Sequence, residues 1–199
     1  MKVLILFAHP RFSVSTTQKA MLKAVSGLDG VTIHDIYAAY PDFAIDVAAE
    51  QEMLRDHDLI VLQHPLYWYS APAIIKEWLD LVLEHGWAYG HGGTRLAGKF
   101  LLSAVSTGGP AEAYAHGGRN RFQLDELLAP FNQTAYLCSM AYLRPFAVYS
   151  GRRLGPEELS AHAETYRDLI VGLRDGRIDP FSHLATGYTL PPHFAEGGR

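Results

Sequence analysis

The sequence predicts an α/β protein in which helices cover both faces of a doubly wound, five-stranded parallel sheet. Short apolar runs alternate along the chain with segments whose apolar residues recur at helical spacing. The apolar runs are nearly continuous, which is typical of parallel strands that are buried on both faces. We therefore expect right-handed helical crossovers between the strands.

Length and composition indicate one soluble domain. The 199 residues are 48% hydrophobic and 19% charged, which suffices for a sizeable core. A net charge of −4 without a basic cluster argues against nucleic-acid binding. The single cysteine, Cys138, excludes an intrachain disulfide and suits a reducing cytoplasm. The apolar amino terminus is too short for a signal peptide, and no stretch reaches the length of a membrane span.

The first half of the chain contains three predicted strands and three predicted helices. Apolar runs predict strands at residues 3–7 and 59–62, and residues 31–36 are predicted to form a shorter strand. Helical spacing of apolar residues predicts helices at residues 15–25, 45–55 and 72–83. Pro72 is well placed at the first position of its helix, because that position needs no N–H donor.

The second half completes the alternation. We expect strands at residues 99–105 and 143–149 and helices at residues 122–128 and 157–173. Residues 1–178 then form one domain. The remaining residues, 179–199, lose periodicity and gain proline and glycine, which predicts a carboxyl-terminal extension that is an extended arm or a loose end.

Three segments should meet where such a sheet binds its ligands. Ligands of open parallel sheets lie beyond the carboxyl ends of the strands, where the strand order reverses. The segments that follow the first, third and fourth strands are residues 9–18, 66–69 and 106–109. We expect these three loops to form the binding site.

The first segment is rich in hydroxyl groups and opens a helix. The unpaired N–H groups at a helix start attract a phosphate, although Ser15 or Thr16 could equally be an ordinary cap. The GxGxxG and GxxxxGK patterns of other nucleotide-binding proteins are absent after the first strand. A phosphate-bearing ligand other than those classes is therefore favoured.

The other two segments differ in chemistry. Residues 66–69 place three large aromatic side chains at a strand end, which indicates either hydrophobic plugging or stacking on a planar ligand. Gly108 and Gly109 mark either a plain turn or a place where a ligand approaches backbone N–H groups. A phosphate site, a flat apolar surface and backbone donors together predict flavin mononucleotide (FMN).

Four motifs carry a family resemblance. AHP, HPLYWYSAPAIIKEWLD, HGWAYGHGGTRLAGK and STGG, in this order, resemble the flavodoxin-like NAD(P)H:quinone oxidoreductase family. They are most similar to its bacterial branch of ancillary subunits of glutathione-regulated potassium-efflux systems. The resemblance covers residues 1–178. It implies a flavodoxin-like fold and a homodimer that binds FMN, or FAD as in the animal members.

The resemblance also implies an activity and its partners. Hydride passes from NADPH or NADH to the flavin and then to a small quinone, in a ping-pong cycle that uses one pocket. A potassium-efflux antiporter is the implied macromolecular partner, at the cytoplasmic face of the membrane.

The resemblance assigns site residues by motif. The implied flavin contacts are His9, Ser15, Thr16, Thr17, Gln18, Leu66, Tyr67, Trp68, Tyr69, Ser106, Thr107, Gly108 and Gly109. Backbone donors at Gly108 and Gly109 would stabilise charge on the reduced ring. Tyr114 matches the family tyrosine that balances charge together with a histidine. The animal enzymes have that histidine where this chain has Asn120, so His116 is the candidate, with a solvated loop histidine as the alternative.

Tyr89 and His91 match a substrate-side loop that the family presents to the partner subunit's flavin, and Trp68 is also expected at the substrate. A packing role for Tyr89 remains open. The histidines at positions 85, 91 and 116 are scattered without paired cysteines or an HExxH pattern, so we expect no metal site.

Several functions remain open. The first is a quinone reductase, and the second is a regulatory module that docks on a transporter with secondary redox activity. Reduction of azo or nitro compounds is a further enzymatic alternative. A simple flavodoxin electron carrier fits poorly, because a one-electron shuttle needs neither the WAYGHGG loop nor Tyr114.

Overall fold

The computed structural model describes residues 1–195, which contain a parallel sheet. Its strands are β1 (Val3–Phe7), β2 (Val31–Asp35), β3 (Leu59–Pro65), β4 (Phe100–Ser106), β5 (Ala141–Tyr142) and β6 (Phe146–Val148). Their order is β2-β1-β3-β4-β5, and β6 pairs with β4 beyond β5. The sheet thus has five positions, and the predicted doubly wound fold is confirmed.

Helices cover both faces of the sheet. They are α1 (Thr16–Val25), α2 (Ile36–Ala39), α3 (Val47–Arg55), α4 (Ala73–Val82), α5 (Leu124–Leu127), α6 (Ala129–Leu137), α7 (Pro156–Arg174) and α8 (Pro192–Ala195). Helices α1 and α7 pack on one face, while α3, α4 and α6 pack on the other. No helix in residues 1–195 combines the length and apolarity that a membrane crossing requires.

Alternation along the buried strands builds two separate cores. On β1, Val3 and Ile5 join the core under α1 and α7, whereas Leu4 and Leu6 join the opposite one. All five β1 residues are fully buried. Successive side chains point to opposite faces of a strand, so a continuous apolar run serves both cores at once.

Several elements differ from the sequence expectation. Of the strand predicted at residues 143–149 only β6 (Phe146–Val148) forms, and the short β5 (Ala141–Tyr142) precedes the predicted range; Pro145, which has no N–H donor, lies between the two. The helix predicted at residues 122–128 is limited to α5, and the unpredicted α6 follows it with Pro130 in its first turn. Strand β3 continues beyond residue 62 to Pro65.

The described part of the carboxyl-terminal extension lies against the domain, so the expectation of a loose end is wrong there. Leu184 forms a β-bridge with Leu143, and Ala185 is buried. The Tyr188 hydroxyl donates to the Met140 carbonyl oxygen at 2.6 Å. These contacts make the extension a packed arm. Residues 196–199, also part of the predicted extension, lie outside the described residues.

His64 on β3 is a buried polar side chain that lacks one partner. Its Nδ1 lies 3.0 Å from the Pro65 carbonyl oxygen, but Nε2 has no hydrogen-bond partner among the described residues. Complete burial lowers the pKa of His64 from 6.5 to about 4. The imidazole is therefore neutral in the folded protein at physiological pH.

This pKa shift predicts how His64 affects acid stability. Between pH 6.5 and 4 the unfolded chain binds a proton at His64 that the folded chain excludes, so the free energy of unfolding falls as the pH falls. His64→Leu should remove up to about 3 kcal/mol of this acid-dependent loss. At pH 7 the substitution should leave the free energy of unfolding nearly unchanged, because it deletes the nitrogen that lacks a partner among the described residues. Urea unfolding from pH 4 to 7 measures both effects. A His64→Leu profile parallel to that of the exposed-site control His91→Leu would contradict the assignment.

Candidate functional site

The three predicted loops meet in a cavity of about 480 Å³ at the carboxyl ends of the strands. We call this cavity the strand-end pocket. Its lining residues are His9, Arg11, Val14, Ser15, Thr16, Thr17, Pro65, Leu66, Tyr67, Ser106, Thr107, Gly108, Gly151, Arg152 and Arg153. The strand order reverses between β1 and β3, next to this cavity.

Backbone hydrogen bonds hold the loops beyond the strand ends. The Ala8 N–H donates to the Gln63 carbonyl at 3.0 Å, and the Leu66 N–H donates to the Ser106 carbonyl at 2.8 Å. The Thr107 N–H donates to the Val148 carbonyl at 2.9 Å. The parallel ladder thus extends into the loops and fixes the walls of the pocket.

The start of α1 forms one end of the pocket. The Ser15 hydroxyl accepts a bond from the Gln18 N–H at 3.3 Å, and the first turn contains no acidic residue. Thr17 donates its hydroxyl to the Gly151 carbonyl at 2.8 Å, and the Gln18 side chain is buried below the pocket. The Ser15 hydroxyl caps α1 and keeps its own proton for a ligand, and Thr16 also lines the pocket, whereas the Thr17 hydroxyl proton and the Gln18 amide are used within the protein.

Positive charge surrounds this end of the pocket. Arg11, Arg152 and Arg153 line it, and none of them forms an ion pair within residues 1–195. Arg11 lies in the predicted segment 9–18 but was not singled out there, and Gly151, Arg152 and Arg153 lie outside all three predicted segments. The signal was present, because Gly151-Arg152-Arg153 follows the last predicted strand just as the other site loops follow theirs.

His9 is a neutral hydrogen-bond donor in the pocket wall. Its Nδ1 accepts a bond from the Arg11 N–H at 3.0 Å, which places the proton of the neutral ring on Nε2. Burial, and to a lesser extent the charge of Arg152, lowers the pKa of His9. The ring also packs edge-on against Tyr67, with centroids 5.9 Å apart.

Residues 67–70 form a tight turn that we call the aromatic turn. Tyr67 and Ser70 exchange two backbone hydrogen bonds, of 3.1 and 3.0 Å, and the central residues Trp68 and Tyr69 have φ angles of 49° and 63°. Such a turn normally holds Asn-Gly, because bulky residues disfavour positive φ by about 1 to 2 kcal/mol each. Retained strain of this kind is typical of ligand sites.

The turn divides the predicted aromatic ledge into two parts. Leu66 and Tyr67 line the pocket, while Trp68 and Tyr69 project beyond its lining. Trp68 is 92% exposed, so it does not plug the core. Its ring is free to cover a ligand that extends out of the pocket.

The loop after β4 lies beside the aromatic turn, since the Leu66 N–H donates to the Ser106 carbonyl. Ser106, Thr107 and Gly108 line the pocket, and a Cβ added at Gly108 would meet no atom within 4 Å. The Thr107 hydroxyl donates to the Gly109 carbonyl at 2.8 Å, which stabilises the loop. Glycine at position 108 thus leaves open space beside the backbone.

Tyr114 and His116 lie outside the pocket lining. The Tyr114 ring stands 3.4 Å from the position that a Gly109 Cβ would take, and its centroid is 5.8 Å from that of Tyr149. His116 is exposed, with Nδ1 3.9 Å from a Glu126 carboxylate oxygen. The structure therefore places Tyr114 beside the glycine loop, and its pairing with His116 stays a prediction.

Tyr89 lines a second cavity, of about 430 Å³, which we call the α4–α6 groove. The other lining residues are Ser70, Ala71, Ile75, Lys76, Leu79, Asp80, Leu83, Pro130, Phe131, Thr134, Leu137 and Cys138. His91 is exposed two residues further along the Tyr89 loop. Within one chain, the predicted substrate loop thus lies away from the strand-end pocket.

Comparison with known proteins identifies the family. The model of a family with the flavodoxin-like fold matches residues 1–170. The chain belongs to this flavodoxin-like family. A curated member, the glutathione-regulated potassium-efflux system ancillary protein KefG of Enterobacter sp. (strain 638), is 50% identical over 170 residues, which cover 85% of this chain and 93% of the relative.

Solved structures that are similar to this chain are described as different kinds of protein. General stress protein 14 from Treponema denticola, in complex with FMN, has a TM-score of 0.83 at 40% identity over 87% of this chain and 99% of that one. An NADPH-quinone reductase from P.pentosaceus has a TM-score of 0.78 at 36% identity, with coverages of 85% and 97%. A structure described as a thermophilic tryptophan halogenase from Streptomycin violaceusniger has a TM-score of 0.83 at 44% identity, with coverages of 84% and 98%.

The unpaired arginines predict that the pocket binds anions. Inorganic phosphate should raise the thermal midpoint of the wild-type protein, because a ligand of the folded state stabilises it. The double variant Arg152→Ala/Arg153→Ala should lose most of this increase, whereas Arg167→Ala, an exposed arginine on α7, should keep it. Differential scanning fluorimetry measures the effect. Equal increases in all three proteins would show that phosphate does not bind at these arginines.

Proposed function

We propose that the chain binds FMN in the strand-end pocket and acts as an NAD(P)H:quinone oxidoreductase. The observation that carries the proposal is the convergence of three unlike loops on one cavity: the positively charged start of α1, the strained aromatic turn and the glycine loop. The FMN complex and the quinone reductase among the related structures support it.

The lining residues fit the parts of FMN. The N–H groups at the start of α1, the hydroxyls of Ser15 and Thr16, and Arg152 suit the phosphate. Leu66 and Tyr67, with Trp68 beyond them, offer an apolar surface to the planar ring. Open space beside Gly108 allows the ring to approach the backbone. FAD is the alternative ligand of the same pocket.

Backbone groups and two side chains near the pocket would then assist the redox chemistry of the flavin. Bound FMN would supply hydride transfer from NADPH or NADH to a quinone. The backbone N–H groups at Gly108 and Gly109 would donate hydrogen bonds to negative charge on the ring. Neutral His9 donates from Nε2, and the phenol of Tyr114, beside Gly109, is placed to balance charge at the edge of the site.

We further propose a homodimer that buries the α4–α6 groove. The groove carries Leu137, which is 53% exposed, and it includes Ser70, the last residue of the aromatic turn, and Ala71. A second copy seated there would bring its own Tyr89 and His91 toward this edge of the site. This arrangement accounts for a substrate loop that does not reach the pocket of its own chain.

A role as the ancillary subunit of a potassium-efflux system is the second part of the proposal. The 50% identity to the ancillary protein KefG over most of both chains favours it. The protein would then work in the cytoplasm, at the inner face of the membrane that holds the antiporter. Co-purification of the tagged chain with an antiporter encoded beside its gene tests this role, and failure of the two to associate would remove it.

Turnover tests the enzymatic proposal. Purified protein loaded with FMN should oxidise NADPH or NADH rapidly when a benzoquinone is supplied and more slowly with an azo dye or a nitroaromatic compound. Stopped-flow absorbance measures both half-reactions. Reduction of the azo dye at a higher kcat/KM than any quinone would instead favour the azoreductase alternative.

The aromatic turn predicts an effect on flavin retention. Trp68→Ala should raise the Kd for FMN by about three- to tenfold, because one stacking face of about 1 kcal/mol is lost. The thermal midpoint should not fall, since the indole is 92% exposed. Phe43→Ala is the matched control, because Phe43 is an exposed aromatic with a φ of 65° that does not line the pocket. An unchanged Kd in Trp68→Ala would show that its ring does not cover the flavin.

The groove predicts an effect on assembly. Leu137→Glu should shift the protein from dimer to monomer, because a charge is then placed in an apolar interface. Leu81→Glu should remain dimeric, since this exposed leucine on α4 does not line the groove. Sedimentation velocity of the wild type and both variants measures the change. A monomeric wild type would overturn the dimer proposal.

A further inference from the structure

Four buried polar side chains form a continuous hydrogen-bond chain beneath the strand-end pocket. The Tyr166 hydroxyl donates to Gln63 Oε1, Gln63 Nε2 donates to Gln18 Oε1, and Gln18 Nε2 donates to Ser106 Oγ, each at 2.9 Å. These residues come from α7, β3, α1 and β4 in turn. Tyr166, Gln63 and Gln18 are fully buried, and Ser106 is 9% exposed.

Tyr166 fixes the direction of the whole chain. Among the described residues, its hydroxyl has one acceptor, Gln63 Oε1, and burial raises its pKa so that the proton stays in place. Gln63 then turns its NH₂ group toward Gln18, and Gln18 must turn its own NH₂ group toward Ser106. The reverse direction would leave the Tyr166 proton buried without an acceptor, which is costly.

The pocket end of the chain is Ser106. Because its Oγ accepts the bond from Gln18, its own proton is left to point elsewhere, and no described residue accepts it. Ser106 also lines the pocket. An oriented hydroxyl donor therefore faces the cavity at the end of β4.

We infer that the Tyr166–Gln63–Gln18 chain is a positioning device that presents the Ser106 hydroxyl proton to an acceptor atom of the bound flavin. This inference rests on the proposed function, since it takes FMN to be the ligand. Tyr166, Gln63 and Gln18 are positioning residues, and Ser106 is the group that touches the ligand. The chain links the α7 side of the sheet to flavin affinity without any contact between α7 and the flavin.

A second buried tyrosine–serine contact, between Tyr142 on β5 and Ser103 on β4, provides a matched control. The Tyr142 hydroxyl donates to Ser103 Oγ at 2.8 Å, and both residues are buried. Ser103 lies three residues before Ser106 on the same strand and does not line the pocket. Tyr142→Phe thus deletes an equivalent buried hydroxyl that has no path to the ligand.

A double-mutant cycle on FMN affinity tests the inference. Quenching of flavin fluorescence gives the Kd of the wild type, Ser106→Ala, Tyr166→Phe, the double variant and Tyr142→Phe, with thermal melts to confirm folding. Ser106→Ala should raise the Kd about fivefold, and Tyr166→Phe should raise it about threefold because the donor loses its fixed direction. The double variant should bind no more weakly than Ser106→Ala alone, and Tyr142→Phe should bind like the wild type.

Three results would overturn the inference without touching the proposed function. The first is an increase in Kd of about fifteenfold in the double variant, which is the product expected of independent effects. The second is a loss of affinity in Tyr142→Phe equal to that in Tyr166→Phe. The third is a wild-type Kd that Ser106→Ala leaves unchanged. A wild-type protein that binds no FMN would overturn the proposed function and, with it, the inference.

Discussion

The parallel pairing of β3 with β1 on one side and β4 on the other is the constraint on which the rest of the structure depends. It brings the carboxyl ends of three strands to one edge, and the bond from the Leu66 N–H to the Ser106 carbonyl extends the ladder into the loops. Segments that are distant in sequence thereby become walls of a single pocket. Because the sheet is buried on both faces, these positions are held by two cores at once.

The same constraint explains where polar side chains enter the core. Buried polar groups cost free energy unless they are paired, and on β3 the residues from Leu59 to Leu62 are apolar. Gln63 and His64 come next, at the end nearest the pocket. Gln63 is satisfied by a chain of partners, whereas His64 Nε2 has no partner among residues 1–195. On β3, the buried polar side chains thus lie at the strand end nearest the pocket.

Much of the fold and part of the site could be predicted from the sequence. Continuous apolar runs indicated buried parallel strands, and the order of strands then placed Ser15, Tyr67 and Gly108 near one another. The direction of each side chain could not be predicted, because it depends on tertiary partners: the Gln18 amide turns inward to Gln63 and Ser106. The positive φ of Trp68 was hidden for a similar reason, since local preference opposes it.

The remaining misses have physical causes of their own. Helix α6 begins with a proline in its first turn, which can also mark the end of a helix. The arm after α7 lacks periodicity because short helices and single contacts hold it in place.

Hydrogen–deuterium exchange with and without FMN tests most directly whether the flavin binds where the three strand-end loops meet. Addition of FMN should slow exchange of the backbone N–H groups of residues 15–18, 66–69 and 106–109 together, because one ligand touches all three loops. The N–H groups of α3, on the other side of the fold, should be unaffected. Exchange that is unchanged in these loops, or slowed in only one of them, would contradict the account.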